Sequence, residues 1–326
     1  MRAFRNLILL AILLAGAALY LLRYDTFGPQ QETFVDIPSG TSSSGIAQKL
    51  ASAGVIRSQY LFLAERKLSG GTLHAGVYRF DHPVTLTAVY RTILRGEVYT
   101  KAVTIPEGYN LFDVASAVQT AGLGTSAAFL AAAHRDTALI QDLSPHATSL
   151  EGYLFPDTYR FSPHTTPDQM LEAMVKRFRQ VAQKLNLQQS PDLARTVILA
   201  SLIEKEVSVP AERPLVAGVF LNRLSVGMPL ATDPSVIYAA LLDHRWRGTI
   251  YQSDLASESP YNTYRHPGLP PGPIANPGLA ALRAALTPTP TNYLYFVADA
   301  QGHTQFSVSL ADHARQVQQY RKSLAH

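Results

Sequence analysis

An internal repeat constrains the fold of this chain more than any other feature of its sequence. Residues 35–55 read VDIPSGTSSSGIAQKLASAGV, and residues 103–123 align with them without a gap as VTIPEGYNLFDVASAVQTAGL. Each copy begins as a short strand that stops at Pro-x-Gly, because proline cannot donate to a strand ladder and glycine turns the chain. A helix with apolar residues four apart follows and closes at Gly54 or Gly122. Two copies are too few for a solenoid, so the repeat predicts two small α/β modules in tandem. Chance similarity between two strand–turn–helix units is the alternative.

The rest of the chain predicts an α+β protein whose second half is mostly helical. Between the copies we expect a helix, a strand and a helix, at residues 58–67, 76–80 and 87–94. After residue 146 the apolar spacing predicts helices at 167–187, 191–207, 211–224, 234–242, 278–286 and 310–324. YLYFVADAQGHTQFSVS, near the end, alternates apolar and polar residues around a turn and predicts a β-hairpin. The expected domains are therefore a membrane anchor (1–24), a linker (25–34), α/β modules (35–145) and a mostly helical domain with a small sheet (146–326).

The first 24 residues predict a transmembrane helix. Residues 7–22 carry no charge, and these 16 residues would span about 24 Å as a helix, approaching the roughly 20 residues that a bilayer requires. Arg2 and Arg5 before the run favour a cytoplasmic N-terminus. A cleaved signal peptide is the alternative, because Ala-Gly-Ala at 15–17 resembles a cleavage site. The apolar run continues through residues 18–22, however, which favours a single-pass anchor in the bacterial inner membrane with the remaining chain in the periplasm.

The charge distribution argues against nucleic-acid binding. The net charge is +4, from 28 basic and 24 acidic residues, but Arg2, Arg5 and Arg23 flank the first apolar run. Removing these three from the 28 basic residues leaves 25 against 24 acidic ones, with no basic stripe that has interleaved aromatics. The chain contains no cysteine, which excludes disulfides and thiolate chemistry.

Common catalytic motifs do not fit this sequence. Gly40 and Gly45 have the spacing of a phosphate-binding loop, but Ile46 stands where that loop requires lysine. There is no G-x-S-x-G elbow, and the scattered histidines include neither H-E-x-x-H nor a ligand pair at helical spacing. We therefore expect no metal and no cofactor.

Two glutamates at the end of an apolar run, in LASLIEKEVS, are the candidate catalytic groups. If the run is one helix, Glu204 lies over Val197, Ala200 and Ser201, while Glu206 points about 200° further round. The two carboxylates then cannot form the facing pair of an ordinary glycosidase unless the helix breaks between them. The small-residue strip would leave room for a ligand, and apolar surroundings would raise the Glu204 pKa as a general acid requires. A solvated charge at a helix end is the alternative.

Aromatic residues in two loops indicate a sugar-binding surface. Residues 150–159 place three aromatic side chains beside Glu151, and the proline-rich loop at 259–273 carries Tyr261, Asn262 and Tyr264. Aromatic faces stack on the CH faces of sugars, and amides and carboxylates bind the hydroxyls. The alternative is that these tyrosines cover the edge of the core.

Five ordered motifs resemble the MltG/YceG-like endolytic murein transglycosylases. They read LEGYLFPDTY, ASLIEKEVSVPAER, VFLNRLSVGMPLATDPSVIY, YNTYRHPGLPPGPIANPG and YLYFVAD…GHTQFS. The likeness covers nearly all of the chain beyond the N-terminal segment. It is weaker over residues 35–125, where family members carry a LysM-like module, a fold associated with glycan binding. The resemblance implies one LysM-like module, and the internal repeat suggests two such related units here, which is more than the resemblance implies.

The same resemblance implies a lyase that cuts nascent peptidoglycan strands internally. The cut falls at MurNAc–GlcNAc bonds, leaves 1,6-anhydro-MurNAc ends and terminates strand elongation. The family's catalytic glutamate falls on Glu204, and Glu151, Tyr261, Asn262 and Tyr264 would line the glycan groove. The implied partners are peptidoglycan strands and cell-wall synthases. A non-catalytic peptidoglycan-binding scaffold is one alternative, and a muramidase that pairs Glu204 with Glu151 or Asp157 is another.

Overall fold

The computed structural model describes residues 2–207, 209–299 and 301–324. Half of the structure is helical and a tenth is strand (50% and 10%). Within the described residues the helices, in chain order, are α1 (Arg2–Tyr24), α2 (Ser43–Ser52), α3 (Gln59–Ser69), α4 (Leu86–Arg95), α5 (Leu111–Thr120), α6 (Ser126–Arg135), α7 (Pro167–Lys184), α8 (Leu193–Glu206), α9 (Arg213–Ser225), α10 (Asp233–Leu242), α11 (Gln252–Leu255), α12 (Leu279–Leu286) and α13 (Leu310–Leu324).

The strands of the described ranges form two-stranded sheets. They are β1 (Thr26–Phe27), β2 (Thr33–Ile37), β3 (Gly76–Phe80), β4 (Val84–Thr85), β5 (Lys101–Thr104), β6 (Thr158–Phe161), β7 (Tyr295–Ala298) and β8 (Thr304–Ser307). The pairs are β1 with β4, β2 with β3, β5 with β6, and β7 with β8.

The first of two compact units comprises the residues up to Lys101 together with Arg160–His164. Strands β2 and β3 are antiparallel, with Val35 opposite Tyr78. Alternate residues of a strand face the same side, so these strands present an apolar face to helices α2, α3 and α4. The fully buried Tyr78 satisfies its hydroxyl by donating to the His74 carbonyl at 2.8 Å.

The second compact unit comprises Ala102–Tyr159 and the chain from Thr165 onward. Helix α12 packs against both α8 and α9. Helix α7 begins at a capping box formed by Thr166 and Gln169, and its apolar stripe buries Met170, Met174 and Phe178. The packing of α12 covers one side of α8, the helix that carries the two candidate glutamates.

The structure confirms the predicted plan of the repeat. β2 and β5 end before Pro-x-Gly, α2 and α5 follow, and each copy turns through its glycines. Gly40 and Gly108 have φ angles of 82° and 78°, and Gly54 and Gly122 have 69° and 65°. These left-handed conformations are ones that glycine adopts without steric cost. The first copy lies in the first compact unit and the second copy in the second. The functional boundary predicted at residue 145 therefore falls inside the second unit, and the roles of the modules stay predictions.

The mixed α and β character is confirmed, but the predicted transmembrane helix is wrong. Among the residues that the structure describes, no helix has both the length and the apolar character needed to cross a bilayer. The reason is the length of the uncharged run. The uncharged run at residues 7–22 has 16 residues and rises only about 24 Å as a helix, short of the roughly 30 Å hydrocarbon layer.

Most predicted elements of the second half are confirmed, with ends shifted by a few residues. Helix α13 has the predicted bounds, and β7 and β8 form the predicted hairpin with Val297 opposite Gln305. Helix α6 was not predicted. Its sequence, SAAFLAAAHR, is so rich in alanine that it shows little apolar periodicity, although Thr125 caps its first turn.

Candidate active site

Helix α8 positions both candidate glutamates in its last turn. The Asp192 side chain caps the start of the helix by accepting from the Arg195 amide at 2.9 Å. The apolar run from Val197 to Ile203 anchors the helix, and its residues are almost all buried. The helix ends at Glu206, so Glu204 lies at the C-terminal end, where the helix dipole disfavours negative charge.

Glu204 is a buried carboxylate with three hydrogen-bond donors. Arg213 binds it through two nitrogens: Nη2 donates to Oε1 at 2.7 Å, and Nη1 donates to Oε2 at 3.2 Å. The Gly278 amide, just before α12, donates to Oε2 at 3.0 Å. Only 5% of the Glu204 side chain and 6% of the Arg213 side chain are exposed. Glu204 is therefore not a solvated charge at a helix end.

Opposing effects set the pKa of Glu204. Burial raises the pKa and is the largest cause, and the negative charge of Glu107 raises it too. The Gly278 amide and the Arg213 guanidinium lower it by stabilising the ionised form. The net result is a pKa above that of an ordinary glutamate, which is the direction that a general acid at neutral pH requires.

The small-residue strip beside Glu204 is covered, so the prediction of open space above it is wrong. Val197, Ala200 and Ser201 are all completely buried. The Ser201 hydroxyl donates to the Ile198 carbonyl at 2.7 Å and accepts from the Ile274 amide at 3.1 Å. The chain at Ile274 therefore packs onto the strip, and any space for a ligand lies elsewhere.

Glu206 faces a different environment from Glu204. Burial and the nearby Asp233 carboxylate raise its pKa to about 7, while the Arg223 guanidinium lowers it. Asp233 itself accepts a hydrogen bond from the Tyr264 hydroxyl at 2.7 Å. The two glutamates thus have separate sets of partners, as the 200° separation on one helix predicts.

An open groove of about 670 Å³ runs along one face of α5. Lys205 lines one part of it and donates from Nζ to the Gly108 carbonyl at 3.2 Å. Gly108 also packs against the catalytic candidate, since a Cβ there would lie 3.5 Å from Glu204 Cγ. The groove is lined by small, hydroxyl and charged residues: Ala102, Val103, Thr104, Glu107, Gly108, Tyr109, Asp113, Ser116, Ala117, Thr120, Ala121 and Lys205.

Glu151 lies in the interior, where it joins two loops. Its side chain accepts from the Leu111 amide at 2.8 Å and from Asn276 Nδ2 at 3.2 Å, with 2% of the residue exposed. Burial raises its pKa to about 8 despite these donors. Asn276 also donates to the Tyr109 carbonyl and accepts from the Gly108 amide, so this network fixes the loop that borders Glu204.

The other three predicted groove residues lie in or beside the loop at 259–273. Asn262 is completely buried and donates to the carbonyls of Leu255 and Ser257 at 3.0 and 2.8 Å. The Tyr261 ring lies 5.1 Å from that of Tyr238. Tyr264 is 40% exposed. None of these residues lines the groove along α5, and their role in substrate binding stays a prediction.

Comparison with known proteins places this geometry in a family. A model described as the YceG-like family matches residues 35–319. The chain belongs to the YceG-like family. An endolytic murein transglycosylase of Bacillus subtilis (strain 168) is 34% identical over 305 residues, covering 88% of this chain and 84% of that protein.

Further relatives extend the match. An endolytic murein transglycosylase of Streptococcus pneumoniae (serotype 2, strain D39) is 31% identical over 326 residues, which cover 88% of this YceG-like chain and 58% of that longer protein. A 2.6 Å crystal structure of a yceG-like protein from Listeria monocytogenes has a TM-score of 0.59 and 30% identity, covering 88% of this chain and 99% of the other. The shared fold therefore spans both compact units.

Sequence reasoning missed three groups around Glu204 in this YceG-like chain. Arg213 ends the motif that contains Glu204, Glu107 lies in the Pro-x-Gly turn of the second repeat copy, and Gly278 follows Asn-Pro in a third motif. For Arg213 and Gly278, their presence in matched motifs was the available signal; Glu107 lies in the internal repeat and in none of those motifs. Nothing in a sequence shows that segments this far apart meet at one carboxylate. Within the described ranges, no three His, Cys, Asp or Glu side chains are grouped as a metal ion would require.

Proposed function

We propose that this chain is an endolytic murein transglycosylase that acts outside the cytoplasm, with Glu204 as its single catalytic carboxyl. The observation that carries the proposal is the position of Glu204: a buried carboxyl with a raised pKa, in the motif of a family whose curated relatives are named for this activity. The second glutamate of the motif, Glu206, has other partners. A one-carboxyl mechanism fits this arrangement better than a two-carboxyl one.

Glu204 acts as acid and then as base in this proposal. Protonated Glu204 gives its proton to the oxygen leaving from the MurNAc–GlcNAc bond as the bond to C1 breaks. The carboxylate then takes the proton of the MurNAc C6 hydroxyl, whose oxygen bonds to C1 and closes the 1,6-anhydro ring. One group alternating between the two states needs a pKa near the working pH, and burial moves Glu204 in that direction. Water is not consumed.

The groove along α5 is the candidate path of the glycan strand. It is open, polar and bordered by Gly108, which packs against Glu204. Its hydroxyl and charged groups, including Thr104, Ser116 and Asp113, suit the hydroxyls of a sugar chain. Because α5 belongs to the second repeat copy, this assignment agrees with the proposal that residues 35–55 and 103–123 are LysM-like glycan-binding modules.

Cell-wall synthases are the proposed protein partners. An enzyme that terminates the elongation of nascent strands must meet those strands where synthases make them. Co-purification of the full chain with a peptidoglycan synthase, absent for an unrelated exported protein, is the expected result. A lack of enrichment would contradict the partnership and leave the enzymatic proposal intact.

The enzymatic proposal is tested by digesting purified sacculi with the purified full-length chain and analysing soluble products by mass. We expect fragments that end in 1,6-anhydro-MurNAc. Reducing MurNAc ends would instead indicate the two-carboxyl muramidase, and binding to sacculi without release would indicate the scaffold. Either outcome contradicts the proposal.

A further inference from the structure

A second carboxylate shares the arginine that holds Glu204. Arg213 Nη1 lies 3.2 Å from Glu204 Oε2 and 3.8 Å from Glu107 Oε2. The same guanidinium nitrogen is therefore between two carboxylates that belong to different parts of the second unit. Glu107 differs from Glu204 in its exposure, since 49% of its side chain is open to solvent.

Because Gly278 has no side chain, Glu107 and Glu204 can both lie next to it. Its amide donates to Glu204, while a Cβ at this position would overlap the carboxylate of Glu107. Its φ angle of −79° is one that any residue adopts, so the backbone does not require glycine here. What glycine provides is space, which lets the Glu107 carboxylate lie next to the donor that binds Glu204.

The proposed mechanism requires a second anion near Arg213 whenever Glu204 is protonated. Glu204 must carry a proton to act as an acid, yet the fork of Arg213 stabilises its ionised form. A protonated Glu204 would leave the guanidinium, which is 6% exposed, without an anion, and an uncompensated buried charge is strongly unfavourable. Glu107 is the anion within reach, at 3.8 Å.

We propose that Glu107 is a positioning residue that takes over the ion pair with Arg213 whenever Glu204 is protonated. The inference rests on the proposed function, because it gives a partner to the acid–base cycle of Glu204. With Glu204 ionised, the three groups carry a net charge of −1; with Glu204 protonated, the Arg213–Glu107 pair is neutral and complete. Lys205, the next residue on the helix, donates its hydrogen bond to the Gly108 carbonyl. On the side of α12, the group that contacts Glu204 is the Gly278 amide.

The first test is the pH profile of the Glu107→Gln variant of the full-length chain. The rate of anhydro-product release from purified sacculi is measured from about pH 5 to about pH 9. Without the Glu107 carboxylate, Arg213 pairs only with Glu204, and this favours the ionised form of Glu204. We expect the alkaline limb of the profile to move to lower pH by about one unit, a roughly tenfold loss of rate on the alkaline side with little loss at the acid end.

Three further variants separate charge from structure. Gly278→Ala keeps every charge but displaces the Glu107 carboxylate. We therefore expect its alkaline limb to move to lower pH, as in Glu107→Gln. Glu107→Asp keeps the charge, so its limb lies nearer to the wild-type limb than that of Glu107→Gln. Glu172→Gln, an exposed position on α7, removes one negative charge away from the site and leaves the profile unchanged.

Two results would overturn the inference. One is an alkaline limb that stays at the wild-type position in both Glu107→Gln and Gly278→Ala. The other is an equal loss of rate at every pH in Glu107→Gln, which would show a role other than control of the proton. A wild-type chain that yields no anhydro ends would instead refute the proposed function, so the two failures are distinguishable.

Discussion

Glu204 is a carboxyl group that the fold both desolvates and pairs. Burial and the helix end disfavour its charge, whereas Arg213 and the Gly278 amide favour it. The balance of these effects raises the pKa of Glu204 above that of an ordinary glutamate, the direction that favours its protonated form. That property, rather than a fixed charge, is what an acid that later becomes a base requires.

Arg213→Met is expected to extend to higher pH the range over which the stability of the chain falls with rising pH. Without the guanidinium the pKa of folded Glu204 rises further above the value in the unfolded chain. Between the unfolded and folded pKa values the folded state holds the extra proton, so stability falls as pH rises, by up to about 1.4 kcal/mol per pH unit.

Urea unfolding from about pH 4.5 upward measures this slope. The double variant Glu204→Gln/Arg213→Met is the control, because it lacks the titrating carboxyl and should not show the fall in stability over that extended range. Parallel pH dependences of the wild type and Arg213→Met would contradict the account of the Glu204 pKa.

Glu151 provides a second pH prediction with the same sign. Its pKa of about 8 in the folded chain lies above the ordinary 4.5, so the folded state keeps a proton that the unfolded state loses. The contribution of Glu151 to stability is therefore present below about pH 4.5 and is lost progressively as pH rises to about 8. The difference in unfolding free energy between wild type and Glu151→Gln should change steadily over that interval. A difference that is constant with pH would show that Glu151 is ionised in the folded chain.

At the scale of elements, α5 and its groove connect the repeat to the candidate active site. Thr120→Trp places a bulky ring in the groove at an exposed position. We expect roughly a tenfold lower rate of product release, with unchanged thermal unfolding, because the ring obstructs the strand and not the core. Ala131→Trp, on the exposed face of α6, is the matched control and should retain the wild-type rate. Equal rates for the two variants would exclude the groove as the glycan path.

The sequence predicted those elements whose signals are local. Pro-x-Gly and the closing glycines located both repeat copies, and the helical phase of α8 separated Glu204 from Glu206. The sequence did not predict contacts between segments that are far apart in the chain. The packing of Ile274 onto Ser201 closed the space that small residues had indicated, and hydrogen bonds placed Glu151 and Asn262 in the interior. Residue type indicated polar side chains that need hydrogen-bond partners, but it did not show which groups are those partners.

At the scale of the whole molecule, the family match runs through both compact units, from residue 35 to residue 319. The molecule to assay is therefore the full chain. Internal cutting predicts that the mean length of glycan strands falls early in a digest, before short products dominate. Size analysis of isolated strands over time measures this. A digest that releases disaccharide units from the outset, while the remaining strands keep their length, would show cutting from the ends.

The most direct measurement of the central claim compares Glu204→Gln with Glu206→Gln in a sacculus digest analysed by mass. The two substitutions are chemically identical and lie two residues apart on one helix, so general effects on α8 are matched. We predict that Glu204→Gln lowers the release of 1,6-anhydro-MurNAc ends by about 10²- to 10⁴-fold while still binding sacculi, and that Glu206→Gln continues to release them. Release by Glu204→Gln at the wild-type rate would contradict the account.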